Sequence, residues 1–349
     1  MPVTKPLAIL TALGKKLPER VAHRLEAEHY RSRRQSPYSY NGTSWVEINT
    51  AQASAPSMKL NTSTIRLISW NIDILTAGAE IRMEAALSYL ETLVLHSPPS
   101  TPIIIFLQEM GRSDLQQIRR AKWIQSGFYI THIYEDYWLD PLYGTATLID
   151  RRLKIGGVFR VPWISKFERD GLFVDIEVES AGKEVKVFRL CNTHLESLIA
   201  DPPVRPLQME AAGKYLREKK VAAALLAGDL NAIQPFDRTL HEENGLKDSY
   251  LELGGKEESE EGYTWGYQVP QEMRERFGCS RMDKILFRGD VAPISFERIG
   301  IDVKVAEDQR QAMRDAGEEE WVTDHYGVMG DFQLDGWNLG SAKTLSRLS

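Results

Sequence analysis

The sequence predicts an α/β fold in which β-sheets carry helices on their outer faces. Three features of the 349 residues support this reading. Short, β-branched apolar runs recur between residues 65 and 332, mostly followed by turn residues. Helix-patterned stretches lie between them. Several of the runs also end in carboxylates, amides or histidines, which a strand that is merely buried does not require.

Taken in order, residues 1–60 read as a basic leader. Nine Lys or Arg against four Glu give them +5, and since the whole chain is −6, residues 61–349 hold −11. Pro2, Pro6 and Pro18 interrupt the leader's helical periodicity. Glu19, Glu26 and Glu28 count against a mitochondrial presequence, although the basic N-terminus keeps that destination open. "YSYNGTSW" (38–45) is aromatic enough to dock on the catalytic domain. That domain is expected over 61–335 and a short tail over 336–349.

Within the domain, strands are expected at 65–71, 103–109, 143–150, 172–178, 185–194, 223–231, 283–289 and 324–332. Helices are expected at 82–95, 114–125 and 206–221. The acidic stretches 256–262 and 307–320 read as exposed loops or helices. No apolar run reaches the roughly 18 residues of a membrane span. Cys191 and Cys279 stand far apart, which argues against a disulfide framework or a cysteine zinc site and fits a reducing, intracellular setting. A charge of −11 over residues 61–349 is poorly suited to loose, nonspecific grip on nucleic acid, but it leaves room for a narrow, locally basic groove.

The polar strand ends set the functional expectation. "IRLISWN" ends at Asn71 with Asp73 close behind, and "IIIFLQE" ends at Glu109. "FRLCNTHLES" brings Asn192, His194 and Glu196, and "LLAGDLNAI" turns at Gly228 into Asp229 and Asn231. In the two late strands the order is reversed, with Asp283 and the pair Asp324-His325 standing first. If those strands run antiparallel to the others, all these residues meet at one sheet edge. Each has an ordinary explanation taken singly. Gly-Asp-Asn makes a turn, Glu109 can end a strand at solvent, His194 can be structural, Asp283 can pair with Arg281 or Lys284, and Trp265 can be core. The repetition favours a site. Asp73 and Glu109 offer hard oxygen ligands of the kind Mg²⁺ or Mn²⁺ prefers. Asn71 and Asn231 can donate to phosphate oxygens, Asp229 can orient and deprotonate water, and His325 can face developing charge.

"SWN", "LQE", "GDLN" and "TDH", in this order, resemble the four signatures of the endonuclease/exonuclease/phosphatase superfamily. "SWNID", "NTHLES", "YTWGYQ" and "RMDKILFRG" are similar to stretches of the tyrosyl-DNA phosphodiesterase 2 family, and the likeness spans about residues 64–333. "GDLN" stands where that family has Gly-Asp-Thr-Asn, and "TDH" where it has Ser-Asp-His. Residues 1–60 do not resemble the ubiquitin-binding domain that some members carry.

The resemblance implies a four-layered α/β sandwich with two central mixed β-sheets flanked by helices. It makes Glu109 the Mg²⁺ ligand, with Asp73 and Asp324 beside it. Asp229 activates water, Asn71 and Asn231 hold the phosphate, and His325, oriented by Asp283, stabilises the transition state; whether aspartate or histidine is the base stays open. Tyr143 and Arg169 stand near the phosphate or leaving group, His194 and Glu196 on the substrate side, and Trp265 as a stacking surface for DNA. The implied activity is hydrolysis of 5′-phosphotyrosyl-DNA bonds, releasing topoisomerase II adducts in DNA repair, in nucleus or cytoplasm. The partners are DNA 5′ ends bearing a tyrosyl or peptide adduct, with no membrane and a monomer expected. The alternative is an abasic-site type nuclease, or another phosphodiesterase, of the same superfamily.

Overall fold

The computed structural model describes residues 29–50 and 63–339. The expectations for residues 1–28 and 51–60 of the leader and for 340–349 of the tail lie outside the described residues. The strands in chain order are β1 (Arg33–Gln35), β2 (Tyr38–Tyr40), β3 (Trp45–Glu47), β4 (Thr64–Asn71), β5 (Ile103–Gly111), β6 (Phe128–Ile130), β7 (Tyr143–Asp150) and β8 (Ile155–Pro162). They continue as β9 (Asp170–Ser180), β10 (Val185–Thr193), β11 (Val221–Asp229), β12 (Lys247–Asp248), β13 (Asp283–Gly289), β14 (Val291–Ile299), β15 (Gly327–Leu334) and β16 (Trp337–Leu339). The flanking helices are α1 (Ala79–His96), α2 (Arg112–Arg120), α3 (Lys122–Gly127) and α4 (Arg205–Leu216).

Two mixed sheets result. The first runs β1-β8-β9-β10-β11-β13-β12, with β16 on β9, and the second runs β14-β15-β4-β5-β7-β6-β2-β3. β10–β11 and β4–β5 pair in parallel. Successive side chains of a strand point to opposite faces, and here both faces are covered, so the strands read as continuous apolar runs. From β11, Ala223, Leu225 and Ala227 meet Ile65, Leu67, Ile104 and Phe106 of the second sheet. Ala224 and Leu226 pack instead with Met209, Ala212 and Leu216 of α4. On the far side, Ile68, Ile105 and Leu107 pack with Met83, Ala86 and Leu90 of α1 and with Leu115 and Ile118 of α2. At about 1.5–3 kcal/mol for each large apolar side chain buried, the three apolar layers dominate the stabilisation. The molecule is a four-layered α/β sandwich.

Three differences from the sequence expectation have local causes. Residues 114–125 form two helices rather than one. The carbonyl of Arg119 accepts from Trp45 Nε1 at 3.0 Å and Gln125 Nε2 at 2.8 Å, and Ala121 turns to an extended ψ of 118°. β15 starts at Gly327, so Asp324 and His325 lie in the bend that precedes it. The sheets also begin before residue 61: β1 pairs with β8, β2 and β3 extend the second sheet, and Gln35 Nε2 donates to Thr131 O at 2.8 Å. β16 likewise continues past residue 335. The expected divisions at 61 and 335 therefore do not coincide with the sheet edges, because strands of three residues are too short to show a pattern. Among the described residues no helix is long and apolar enough to cross a membrane.

The antiparallel late strands bring the polar residues together. β13 pairs with β11 so that Asp283 lies across from Asp229, and β15 pairs with β4 so that Val328 lies across from Ser69. Gly228 makes the exit from β11 feasible, with φ of +147°. A Cβ there would sit 1.7 Å from the carbonyl oxygen of Thr193 on the neighbouring strand. Gly228→Ala should therefore cost about 3 kcal/mol in urea unfolding, from strain and backbone overlap together. Gly42→Ala, in the turn between β2 and β3, has φ of +101° and nothing within 4 Å, and should cost only about 1 kcal/mol. Equal losses would show that close strand approach is not what demands glycine at 228.

Candidate active site

Asp229 stands at the centre of the sheet edge. Its Oδ2 accepts from Asn71 Nδ2 at 3.1 Å and lies 3.2 Å from His194 Nε2, and its Oδ1 accepts from the Asn231 backbone N–H at 2.8 Å. Burial would raise this carboxyl, but His194 and His325, with these hydrogen bonds, hold it well below the usual carboxylate range. The two asparagines are engaged on their other sides too. Asn71 Oδ1 accepts from the Asp73 N–H at 3.0 Å, and Asn231 Nδ2 donates to Leu195 O at 3.1 Å.

His325 closes the other side. Its Nδ1 lies 2.8 Å from Asp283 Oδ2, while its Nε2 lies 3.7 Å from Asp229 Oδ2 and 3.8 Å from Asp324 Oδ1. Burial disfavours a charged imidazole, yet the carboxylates of Asp283, Asp324 and Asp229 together raise it well above its ordinary value. Asp283 is thus committed to His325. Arg281 pairs instead with Asp248 and Glu257, and Lys284 with Glu257. The Trp70 indole donates to the His325 carbonyl at 3.1 Å. The Thr323 hydroxyl bridges the His325 N–H, at 3.2 Å, and the Asn71 carbonyl, at 2.9 Å. Thr264 Oγ1 accepts from the Asp283 N–H at 2.9 Å. Sequence reasoning marked Thr323 only as the first residue of "TDH" and gave Thr264, which adjoins Trp265, no role of its own.

Among the described residues one set, Asp229, Asp283 and His325, brings ligand atoms within 4.8 Å of one another, and within it Asp283 Oδ2 and His325 Nδ1 already pair at 2.8 Å. The expected ligands Asp73, Glu109 and Asp324 do not form such a set, although their carboxylates act on one another. Burial is the main force pushing Glu109 up to about 7, with Asp229 and Asp324 adding to it against the pull of Arg169. Burial and Asp324 together push Asp73 up to about 6. Crowded, partly desolvated carboxylates with hard oxygen donors are what a divalent ion such as Mg²⁺ relieves.

Four expected site residues have protein partners that the sequence did not show. Trp265 is only 8% exposed, and its indole donates to Asp324 Oδ2 at 2.7 Å, so it anchors a carboxylate rather than offering a ring face to a base. Glu196 is buried and accepts from the Ser165 hydroxyl and the Lys166 N–H, which fixes the loop leading to Arg169 rather than facing a substrate. Tyr143, pushed up to about 12 chiefly by burial, donates its hydroxyl to Phe167 O at 2.6 Å. Arg169 donates to His194 Nδ1 and to Ser197 Oγ, each at 2.8 Å. His194 is itself buried, and burial and Arg169 lower it to about 4, so it is neutral at physiological pH.

The edge is strained. Asp73, Glu109 and Asn231 all have left-handed backbones, with φ of 52°, 52° and 47°. Glycine at position 109 removes both the left-handed penalty and a crowded carboxylate. Glu109→Gly should therefore gain about 1 kcal/mol, raising Tm by roughly 2 °C in metal-free buffer, while Glu109→Gln should gain less. A lower Tm for the glycine variant would show that the local backbone is not under strain.

The sequence model of the Endonuclease/Exonuclease/phosphatase family matches residues 68–325. No curated protein matches the chain. Among solved structures, humanised TDP2 of D. rerio superposes with a TM-score of 0.58 at 21% identity, covering 78% of this chain and 100% of that one. D. rerio TDP2 complexed with single-strand DNA product gives 0.57 at 20%, covering 78% and 99%. A family protein from Bacteroides vulgatus gives 0.54 at 15%, covering 78% and 100%. At these identities the structural likeness establishes the fold, and the family match extends over most of the same residues. The chain belongs to the endonuclease/exonuclease/phosphatase family.

Proposed function

We propose that the protein is a Mg²⁺-dependent phosphodiesterase, with Mn²⁺ able to substitute, that hydrolyses the bond between tyrosine and the 5′-phosphate of DNA. The observation that carries the phosphodiesterase reading is the setting of Asp229. It is ionised, held from three directions, and adjacent to a cationic His325 whose Nε2 faces it. Asp229 aligns the attacking water and takes its proton. Asn71 and Asn231 each have a second amide N–H to offer a phosphate oxygen. His325, charged and backed by Asp283, stabilises the negative charge that builds on the phosphoryl oxygens. Glu109, Asp73 and Asp324 would hold the cation, which when bound neutralises phosphate charge.

The substrate is the finer part of the proposal. It is supported by the similarity of the motifs and of the fold to TDP2, one structure of which carries a single-strand DNA product. It is also supported by charge. A nuclease that grips both flanks of a duplex needs a broad basic face, which residues 61–349, at −11, would have to build against their overall charge. A DNA end needs only a few contacts. Repair of topoisomerase II adducts, in the nucleus, is the setting this substrate implies.

With Mg²⁺, cleavage of a 5′-phosphotyrosyl oligonucleotide should exceed incision at an abasic site in a duplex by at least ~100-fold, or about 2.7 kcal/mol in transition-state binding. EDTA should abolish it. Competition kinetics with both substrates decide the matter, and preference for the abasic site would make the protein a repair nuclease. Metal affinity provides a second check. Because Glu109 titrates at about 7 and the cation binds only the ionised carboxylate, Mg²⁺ affinity by calorimetry should weaken roughly tenfold per unit as pH falls below 7 and level off above it. Affinity that stays flat from pH 6 to 8 would exclude Glu109 as a ligand.

A further inference from the structure

A β-bulge turns Glu109 toward the site edge. Leu107 pairs with Ala146 and Met110 with Gly144, so Gln108 and Glu109 of β5 together oppose the single residue Thr145 of β7. Glu109 takes the left-handed conformation there, with φ of 52°, and its Oε1 comes within 3.7 Å of His194 Nδ1, which belongs to the first sheet's edge. A bulge interrupts the ladder, and buried carbonyls at the break need donors from elsewhere. The first sheet supplies them. Asn192 of β10 shares its Nδ2 hydrogens among Ala146 O at 2.9 Å, Leu107 O at 3.3 Å and Thr147 Oγ1 at 3.3 Å. Arg160 of β8 gives Nη2 to Thr145 O at 2.7 Å and Nη1 to the Thr145 hydroxyl at 3.0 Å.

The orientation of Asn192 follows from these partners. Carbonyl oxygens only accept, so the Nδ2 side must face Ala146 and Leu107, which leaves Oδ1 toward Gln108. Gln108 Nε2 donates to that Oδ1 at 2.8 Å and to Ser69 Oγ at 3.1 Å, while Gln108 Oε1 has no partner among the described residues. Asn192 thus holds the bulge by a backbone carbonyl on each of its two strands and by the side chain next to Glu109. Asn192, Gln108, Ser69 and Thr147 are all wholly buried, where hydrogen bonds are strong and a lost partner is costly. The apolar contacts between the sheets are non-directional and do not by themselves select this break in the ladder.

We infer that Asn192 is a positioning residue for Glu109: reaching across from the first sheet, its amide fixes the bulge in β5 and with it the place of the Glu109 carboxylate at the site edge. The consequence for turnover rests on the reading of that edge as a phosphodiesterase site. The hold on the bulge does not.

The test uses the full chain in metal-free buffer without substrate, with amide hydrogen exchange read on peptides by mass spectrometry. Asn192→Ala removes the amide without crowding the layer, and Asn192→Val, which fills more of the space, gives the same readout should the alanine variant not fold. Peptides covering residues 107–111 should exchange at least ~10-fold faster than in the wild type, while those of β13 and β14 stay within about twofold. On phosphotyrosyl DNA with saturating Mg²⁺, the same variant should lower kcat at least ~10-fold with KM within about twofold. Exchange that rises equally everywhere marks a merely structural residue and overturns the proposal, as does exchange that rises nowhere, an unchanged kcat or a loss confined to KM. If exchange rises at the bulge alone but the wild type does not cleave phosphotyrosyl DNA, the hold on the bulge stands and the substrate reading falls.

Discussion

In the antiparallel pairing of β11 with β13, Asp229 stands directly across from Asp283, and two buried carboxylates that close cannot both ionise without positive charge between them. His325 supplies it, delivered by the bend before β15. The register that creates this demand is fixed from the opposite face. Lys284, next to Asp283 in β13, points away and pairs with Glu257 at 2.8 Å, while Arg281 reaches Asp248 at 2.8 Å. A slip of one residue would exchange Asp283 for Lys284 at the site and take Lys284 away from Glu257. The buried ion network behind the sheet is therefore a reason for the site's geometry.

Around Asp229 the protein sets two imidazoles in the same attitude with opposite backing. Both turn Nε2 toward Oδ2, His194 at 3.2 Å and His325 at 3.7 Å. Behind His325 is a carboxylate, so that ring carries a charge. Behind His194 is a guanidinium, so that ring is neutral. One side chain thus meets a cation and a neutral donor at once, an asymmetry to which the group behind each ring contributes, with Asp324 and Asp229 adding to the charge on His325 and burial to the neutrality of His194.

Much of this was legible in the sequence because it depends on local pattern. Strands buried on both faces must be apolar throughout, so the polar ends of β4, β5, β10 and β11 stood out, and the reversed order in β13 and before β15 pointed to antiparallel pairing. What could not be read depends on partners far apart in the chain. Trp265 looks the same in sequence whether it stacks on a ligand or donates to Asp324, 59 residues on. The role of Glu196 is decided by Ser165 and Lys166, and Arg169 donates to His194 and Ser197. Strands such as β1 and β16 are too short to carry a period, and their place comes from the neighbour they join.

The pairing of β15 with β4 also has a consequence for the making of the protein. Val328 lies against Ser69, so the second sheet closes across almost the whole length of the domain, and Asn71 gains its companions Thr323 and His325 only then. Contacts of such long sequence separation form late and slowly. During synthesis β4 and β5 leave the ribosome early, with apolar faces that wait for partners at the far end of the chain. A chain cut short before residue 323 has no His325 and no means of completing the second sheet. The site is thus assembled last, and a partly made molecule cannot carry a partly working centre.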